Sequence, residues 1–357
     1  EKKIGEAEFQ IKAPPPVPTL GAYSEQFMAG YAAAKLKPST QYGYKRGLKD
    51  HILPAFGKRI LTDITRKDIK DFIYAKTADG YAPRSVLGMV HKMSAIFEDA
   101  IEDGIVKVNP TRRPGKHVRI PKMGEGMDFL TQEEGGAVLN AARAHFPKMY
   151  PALLLTMMTG MRQGEIIALQ WGDIDWRGKF LVVQRNDWKG YLGTPKNGHP
   201  RRIDLAEYLI EVLADHRRRV AEEALASGKP MMEWVFPRRY YFPAKSTGGE
   251  RLKGDGMRKI LDLSIKKAGI RHVKFHALRH SYCSWMIKAG ENLTYIMQQA
   301  GHSSINVTVN TYGTQVPGDH RDATDRLAAK LMGKSATQAQ PAISVSCKLP
   351  ENIAKIS

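Results

Sequence analysis

The chain has 357 residues, more than a single domain of about 150 residues takes up, and 55 Lys and Arg against 36 Asp and Glu give it a formal net charge of +19. That excess calls for an acidic partner, either nucleic acid or an anionic surface. The longest apolar run, Pro151 to Met158, is far short of the roughly 20 residues that span a bilayer, and a hydrophobic content of 42% excludes wholesale disorder.

Residues 1–19 run through Pro14-Pro15-Pro16-Val17-Pro18 and read as an extended linker. Glu1-Lys2-Lys3 leads into mixed polar sequence rather than the apolar stretch of a signal peptide, and the missing initiator Met suggests a start inside a longer protein. A helical domain is expected over residues 20–106. Thr65-x-x-Asp68 is a capping box, with Asp in place of the usual Glu, ahead of Ile69, Phe72 and Ile73. Val86, Met89, Val90, Met93, Ile96, Phe97, Ala100 and Ile101 then recur at helical spacing until Gly104. Residues 107–128 form a basic, proline-punctuated linker with Arg112, Arg113, Lys116, Arg119 and Lys122. Two readings of it stay open: a solvated run of charge, or a strap across DNA phosphates.

The second domain, residues 129–333, opens with the capping box Thr131-x-x-Glu134 and an amphipathic helix to about Ala142. An apolar helix from Pro151 to Met158 stops at Gly160. Phe180 to Val183 and the stretches flanking Asn197-Gly198 read as strands. Asn-Gly is a strong hairpin-turn signal, which places Lys196 beside the tip of a β-hairpin. Helices are expected from Ala206 to Ala226 and from Asp255 to the end of the domain. The fold class is therefore mainly α with a small antiparallel β-sheet. In the tail, residues 334–357, Ile343, Val345, Cys347 and Leu349 alternate with polar residues and suggest a strand that pairs with a neighbouring subunit. The two cysteines, Cys283 and Cys347, form neither a disulfide framework nor a metal pair, which suits a reducing cytosol.

Polar groups stand out at four places in the second domain. Arg162, between Gly160 and Gly164, needs either an internal carboxylate such as Glu165 or a bound anion. Lys196 on a loop is by itself only a solvated cation. His276, Arg279 and His280 can share one helix face; a zinc pair is disfavoured by the cation beside it, and an anion site suits the donors better. Gly301-His302-Ser303-Ser304 is followed by Tyr312. Together, Arg162, Lys196, His276, Arg279, His302 and Tyr312 suit metal-free phosphoryl transfer. Arg and His donors stabilise charge on phosphate oxygens, a tyrosine oxygen can attack, and a lysine can protonate the leaving oxygen.

Thr159 to Trp171, Lys196, His276 to His280, Gly301 to Ser304 and Asn310 to Gly313 resemble, in order and approximate spacing, the signature boxes of tyrosine recombinases of the phage-integrase family. The resemblance spans about residues 20 to 330. It implies a helical core-binding domain and a mixed α/β catalytic domain that close as a clamp on double-stranded DNA, with no metal or other cofactor. By the same resemblance Tyr312 is the nucleophile that forms a 3′-phosphotyrosyl intermediate, and Arg162 and Arg279 clamp the scissile phosphate. Lys196 is then the general acid, His276 assists proton removal from the tyrosine, and His302 donates to a nonbridging oxygen. Glu165 and His280 support them. Ala277 departs from the Asp that relatives often carry there. The implied partners are DNA, three further copies in a homotetramer on two sites, and an accessory or host DNA-bending protein; the implied setting is the bacterial cytosol at the nucleoid. The expected function is a site-specific recombinase, an integrase of a phage or other mobile element. A chromosome- or plasmid-resolving recombinase uses the same chemistry. A non-catalytic DNA-binding protein would explain the charge but not the five boxes.

Overall fold

Local signals and long-range burial agree along most of the first hundred residues of the computed structural model, which describes residues 16–114, 128–242, 250–302 and 304. Helices α1 (Leu20–Ala29), α2 (Tyr31–Lys35) and α3 (Pro38–Gly47) lead through a π-helical turn at Leu48–Ile52 into α4 (Leu53–Phe56), α5 (Arg66–Ala78) and α6 (Pro83–Glu102). Both arms of the Thr65 and Asp68 capping box form at the start of α5. Pro83 supplies the preset φ of a first helical turn, and Gly104, at φ +72°, ends the run in the left-handed region. The apolar stripe of α6 lies in a core with Leu20, Tyr23 and Phe27 of α1 and with Ile69, Phe72 and Ile73 of α5. The Tyr23 hydroxyl reaches across this core to lie 2.8 and 2.6 Å from carboxylate oxygens of Asp99 and Asp103, which share its one proton, and this pins α1 to the end of α6.

The second core is built on α7 (Gln132–His145), α8 (Tyr150–Thr159) and the short α9 (Gln163–Ile167). Every residue of α8 from Pro151 to Met157 is buried, as a helix apolar on all sides must be. Strands β1 (Ile174–Asp175), β2 (Phe180–Val183), β3 (Asn186–Trp188), β4 (Tyr191–Gly193) and β5 (Arg201–Asp204) follow. Helices α10 (Glu207–Ala226), α11 (Arg238–Tyr241), α12 (Gly254–Ala268), α13 (Phe275–Lys288) and α14 (Leu293–Ala300) come after the sheet. Among the described residues no helix is long and apolar enough to cross a membrane.

The sheet corrects one expectation. Strand β2 pairs antiparallel with β1 and with β5, in the register Leu181 to Ile203 and Val183 to Arg201. The hairpin within the connection is β3–β4, and its tip is Lys189-Gly190, both at positive φ (51° and 93°) as a type I′ turn demands. Asn197-Gly198 does make a turn, closed by the Gly198 N–H on the Pro195 carbonyl at 2.9 Å, but it joins β4 to β5, which do not pair. Lys196 therefore sits on a turn beyond the hairpin and not at its tip. Residues Lys116, Arg119, Lys122 and Tyr312 and the expected tail strand over residues 343–349 lie outside the described residues.

His216 of α10 is enclosed by Trp171, Phe236, Tyr240 and Tyr241, with its Nε2 on the Val235 carbonyl at 2.8 Å. Desolvation pushes its pKa down to about 4. A folded-state pKa below the unfolded value of about 6.5 means that the stabilisation is complete above that pH and is lost as pH falls toward 4, by about 2 kcal/mol at pH 5. Urea unfolding at pH 7 and pH 5 should show that His216→Phe loses less stability on acidification than the wild type does.

Candidate active site

The site begins where α8 stops. Gly160 turns the chain at φ +59°, and a Cβ there would lie 2.4 Å from the Tyr282 ring, so conformation and space both demand glycine. The turn delivers Arg162 to the start of α9, where Glu165 follows one turn later with 1% of its surface exposed. The Glu165 carboxylate accepts the Arg162 backbone N–H at 2.9 Å and Arg162 Nη1 at 3.0 Å. Arg201, at the start of β5, forks the same carboxylate from its other side at 2.9 and 2.6 Å. Arg201 also bonds the Gln299 carbonyl at 3.0 Å, and Arg162 Nη2 bonds the Gly301 carbonyl at 2.7 Å.

Helix α13 approaches from the other side. Arg279 is buried and donates from Nη1 to the carbonyls of Gly160, at 2.8 Å, and Ala300, at 2.5 Å. Its Nη2 is buried without a partner among the described residues. The rings of His276 and His280, one turn apart, meet edge to face with centroids 4.9 Å apart. Asn197 donates to the Gly301 carbonyl at 3.0 Å, which ties the Lys196 turn to the acceptor that Arg162 uses. The Lys196 side chain is exposed.

Electrostatics report how close these groups are. Burial favours the protonated Glu165 carboxyl, but the bonds and charge of Arg201, and then Arg162, outweigh it and hold the pKa below the usual carboxylate value. Desolvation lowers His276 to about 4, and the charges of His280, Arg279, Arg162 and Lys196 push the same way. His302 falls to about 3, through desolvation and then through Arg279 and Arg162. Arg279 drops to about 10, again by desolvation first and Arg162 second, and stays protonated at neutral pH. Three guanidiniums thus surround one carboxylate, and two positive charges are left for an anion to offset.

The structure brings together Arg162, Lys196, Glu165, His276, Arg279, His280 and His302 from four separated segments. Arg112 and Arg113 lie elsewhere, at the end of the first domain, where Arg112 stands 3.5 Å from Glu98. Sequence reasoning missed Arg201, Asn197 and Gln299. Arg201 left a faint signal: Arg201-Arg202-Ile203-Asp204 has strand alternation, and Ile203 faces the core. Nothing local says that its guanidinium turns back to a carboxylate 36 residues earlier. Among the described residues no group of three His, Cys, Asp or Glu side chains is arranged to hold a metal ion.

Comparison with known proteins identifies the family. The Phage integrase family matches residues 128–316, and the family's N-terminal SAM-like domain matches residues 19–76. A tyrosine recombinase XerC-like protein of Caldanaerobacter subterraneus subsp. tengcongensis is 26% identical over 330 residues, covering 87% of this chain and 82% of its own length. The ICEBs1 integrase of Bacillus subtilis is 26% identical over 299 residues, covering 82% and 78%. Among solved structures, the Tn1549 transposon integrase in complex with a circular intermediate DNA has a TM-score of 0.69 at 20% identity, covering 87% of this chain and 99% of that one. A lambda integrase tetramer bound to a Holliday junction has a TM-score of 0.63 at 19% identity, covering 83% and 78%.

Removing the shared carboxylate should cost stability as well as geometry. Glu165→Gln leaves the inward-facing cations uncompensated, and losing one partner of a buried ion pair costs about 3–5 kcal/mol. Urea unfolding should show a loss in that range; a change under about 1 kcal/mol would mean that the two arginines find other acceptors.

Proposed function

The chain belongs to the phage integrase family and is a tyrosine recombinase, and from that premise we propose that Arg162 and Arg279 hold the scissile phosphate of duplex DNA while Tyr312 attacks it. The Tyr312 oxygen forms a bond to phosphorus, and the bond from phosphorus to the 5′ oxygen breaks. The phenol proton passes to His276, and the 5′ oxygen takes a proton from Lys196. His302 donates to a nonbridging oxygen. The 3′ phosphate stays esterified to Tyr312, so the energy of the broken bond is kept for joining to a second 5′ hydroxyl.

The observation that carries this reading is Arg279, buried, charged and with Nη2 unpartnered among the described residues, beside Arg162 in a cluster that holds too few carboxylates. A phosphodiester is the anion that offsets it. The low pKa of His276 keeps its imidazole unprotonated at neutral pH, the form that can accept a proton. Glu165 and Arg201 hold the Arg162 loop, and His280 packs against His276. On this reading residues 20–106 are the core-binding domain, residues 129–333 the catalytic domain, and Arg112, Arg113, Lys116, Arg119 and Lys122 cross phosphates between them. The lambda integrase neighbour supports a tetramer on two sites as the working assembly. An accessory DNA-bending protein would set direction, and the setting would be the bacterial nucleoid. The mobile-element relatives favour integration over chromosome resolution.

A suicide DNA substrate, in which the cleaved 5′ end diffuses away, tests the assignment in EDTA. The wild type should accumulate a covalent protein–DNA adduct, while Tyr312→Phe should form none and still bind DNA within a few-fold. Any adduct in that variant would overturn the choice of nucleophile. Arg162→Ala and Arg279→Ala should each slow cleavage by about 10² to 10³ at matched occupancy, the usual cost of one lost transition-state donor. Neutralising Arg112, Arg113, Lys116 and Arg119 together should flatten the slope of log affinity against log salt by about 0.9 for each phosphate that the protein no longer neutralises.

A further inference from the structure

The first domain touches the second at the two segments that lead to Lys196. Lys37, just before α3, donates from Nζ to the Pro195 carbonyl at 3.1 Å and to Thr194 Oγ1 at 3.4 Å. Tyr42 of α3 meets the tip of the β3–β4 hairpin. Its ring lies edge-on to Trp188 with centroids 5.4 Å apart, and the Lys189 ammonium stands 3.9 Å from its centre. The nearness of the same ammonium to the Tyr42 hydroxyl holds the phenol below its usual pKa.

The hairpin they touch is not a free arm. At its base Gly164 of α9 packs so tightly on β3 that a Cβ would come within 2.3 Å of the Asp187 carbonyl oxygen. Near its tip Arg251 bonds Asp187 Oδ2 from Nε at 2.7 Å and the Gly190 carbonyl from Nη2 at 2.8 Å. The hairpin is therefore fixed to the helix that begins beside Arg162, and its second strand runs directly into Thr194, Pro195 and Lys196. Asn197 holds the far side of that turn to Gly301. The near side is held by Lys37, from the other domain.

We infer that Lys37 and Tyr42 are positioning residues: seating the first domain on the hairpin and on the Pro195 carbonyl sets the Lys196 turn against the scissile phosphate. The inference rests on the proposal that Lys196 is the general acid. A clamp that opens to admit a duplex then brings its acid into register only on closing. Lys37 and Tyr42 act on geometry and touch no reacting atom. A displacement of the acid by about 1 Å is enough to cost roughly 10²-fold in rate.

The test is single-turnover cleavage at saturating DNA, with a normal phosphodiester and with a 5′-bridging phosphorothiolate, whose sulfur leaves without a proton. The doubly substituted Lys37→Ala, Tyr42→Ala protein should cleave the phosphodiester about 10- to 100-fold more slowly than the wild type. It should bind DNA within a few-fold of the wild type and cleave the phosphorothiolate at the wild-type rate. Lys37→Arg keeps the donors and should restore phosphodiester cleavage in the single-site background. Wild-type cleavage of the phosphodiester by the double variant would overturn the inference, and so would equal slowing on both substrates. Lys196→Ala, run alongside, separates the two failures. If it is rescued by the phosphorothiolate and the double variant is not, the acid assignment stands and the positioning role falls. If Lys196→Ala is itself not rescued, the acid assignment fails and the positioning role falls with it.

Discussion

One buried carboxylate holds the candidate site together. Glu165 takes the Arg162 backbone and side chain on one side and the Arg201 fork on the other. Through Arg201 it reaches Gln299 at the end of α14, and Gln299 in turn accepts the Asp204 backbone N–H at 3.0 Å. A carboxylate without water would be neutral or expelled, so its burial is tolerated only because both oxygens are fully bonded to cations. The loop after α8, the first residue of β5 and the C-terminal end of α14 are therefore fixed relative to one another by a charge rather than by apolar packing. Apolar contacts tolerate sliding; a forked guanidinium fixes both distance and plane.

The same carboxylate is too little to satisfy what surrounds it. Arg279 lies beside Arg162, and among the described residues its bonds run to the carbonyls of Gly160 and Ala300. These acceptors orient the guanidinium without neutralising it. With Nη2 buried and without a partner among the described residues, the cost in the free protein is on the order of 1–3 kcal/mol, that of a buried unpaired polar group. The surplus of positive charge is a ground-state strain that a bound phosphodiester would relieve, and the Gly160 turn, which admits no side chain, keeps both arginines at the mouth of the same helix pair.

How much of this was legible depends on the range of the physics. The capping boxes at Thr65 and Thr131 could be read from four residues each, because donor and acceptor are one helical turn apart. The α6 stripe was legible because burial repeats with the helix period. Asn197-Gly198 gave the turn, since φ +80° at Gly198 is a local preference, but not the strand pairing, since β5 takes β2 as its neighbour and leaves β4 to β3. The true hairpin tip, Lys189-Gly190, has the weaker turn residues and is held by Arg251 from 61 residues away. Arg201 was illegible for the same reason: its meaning lies in a partner across the fold. His276, Arg279 and His302 could be grouped from sequence only as a set of residue types in order. Their mutual electrostatic influence is a fact of the tertiary structure.

That influence gives the cluster a property that no single residue has. With no anion present, desolvation and the neighbouring cations keep His276 and His302 unprotonated far below their ordinary pKa. A phosphodiester among them would bring one negative charge within reach of each imidazole, reversing part of the Coulomb repulsion while leaving the desolvation in place. The imidazoles would become more basic when the phosphate arrives, without any change of fold. On the proposed assignment, His276 would then bind a proton more readily when the tyrosine has one to give. On the proposed reading, the arginines that would bind the phosphate also add to the desolvation that suppresses histidine protonation in its absence, so occupancy and proton affinity would rise together.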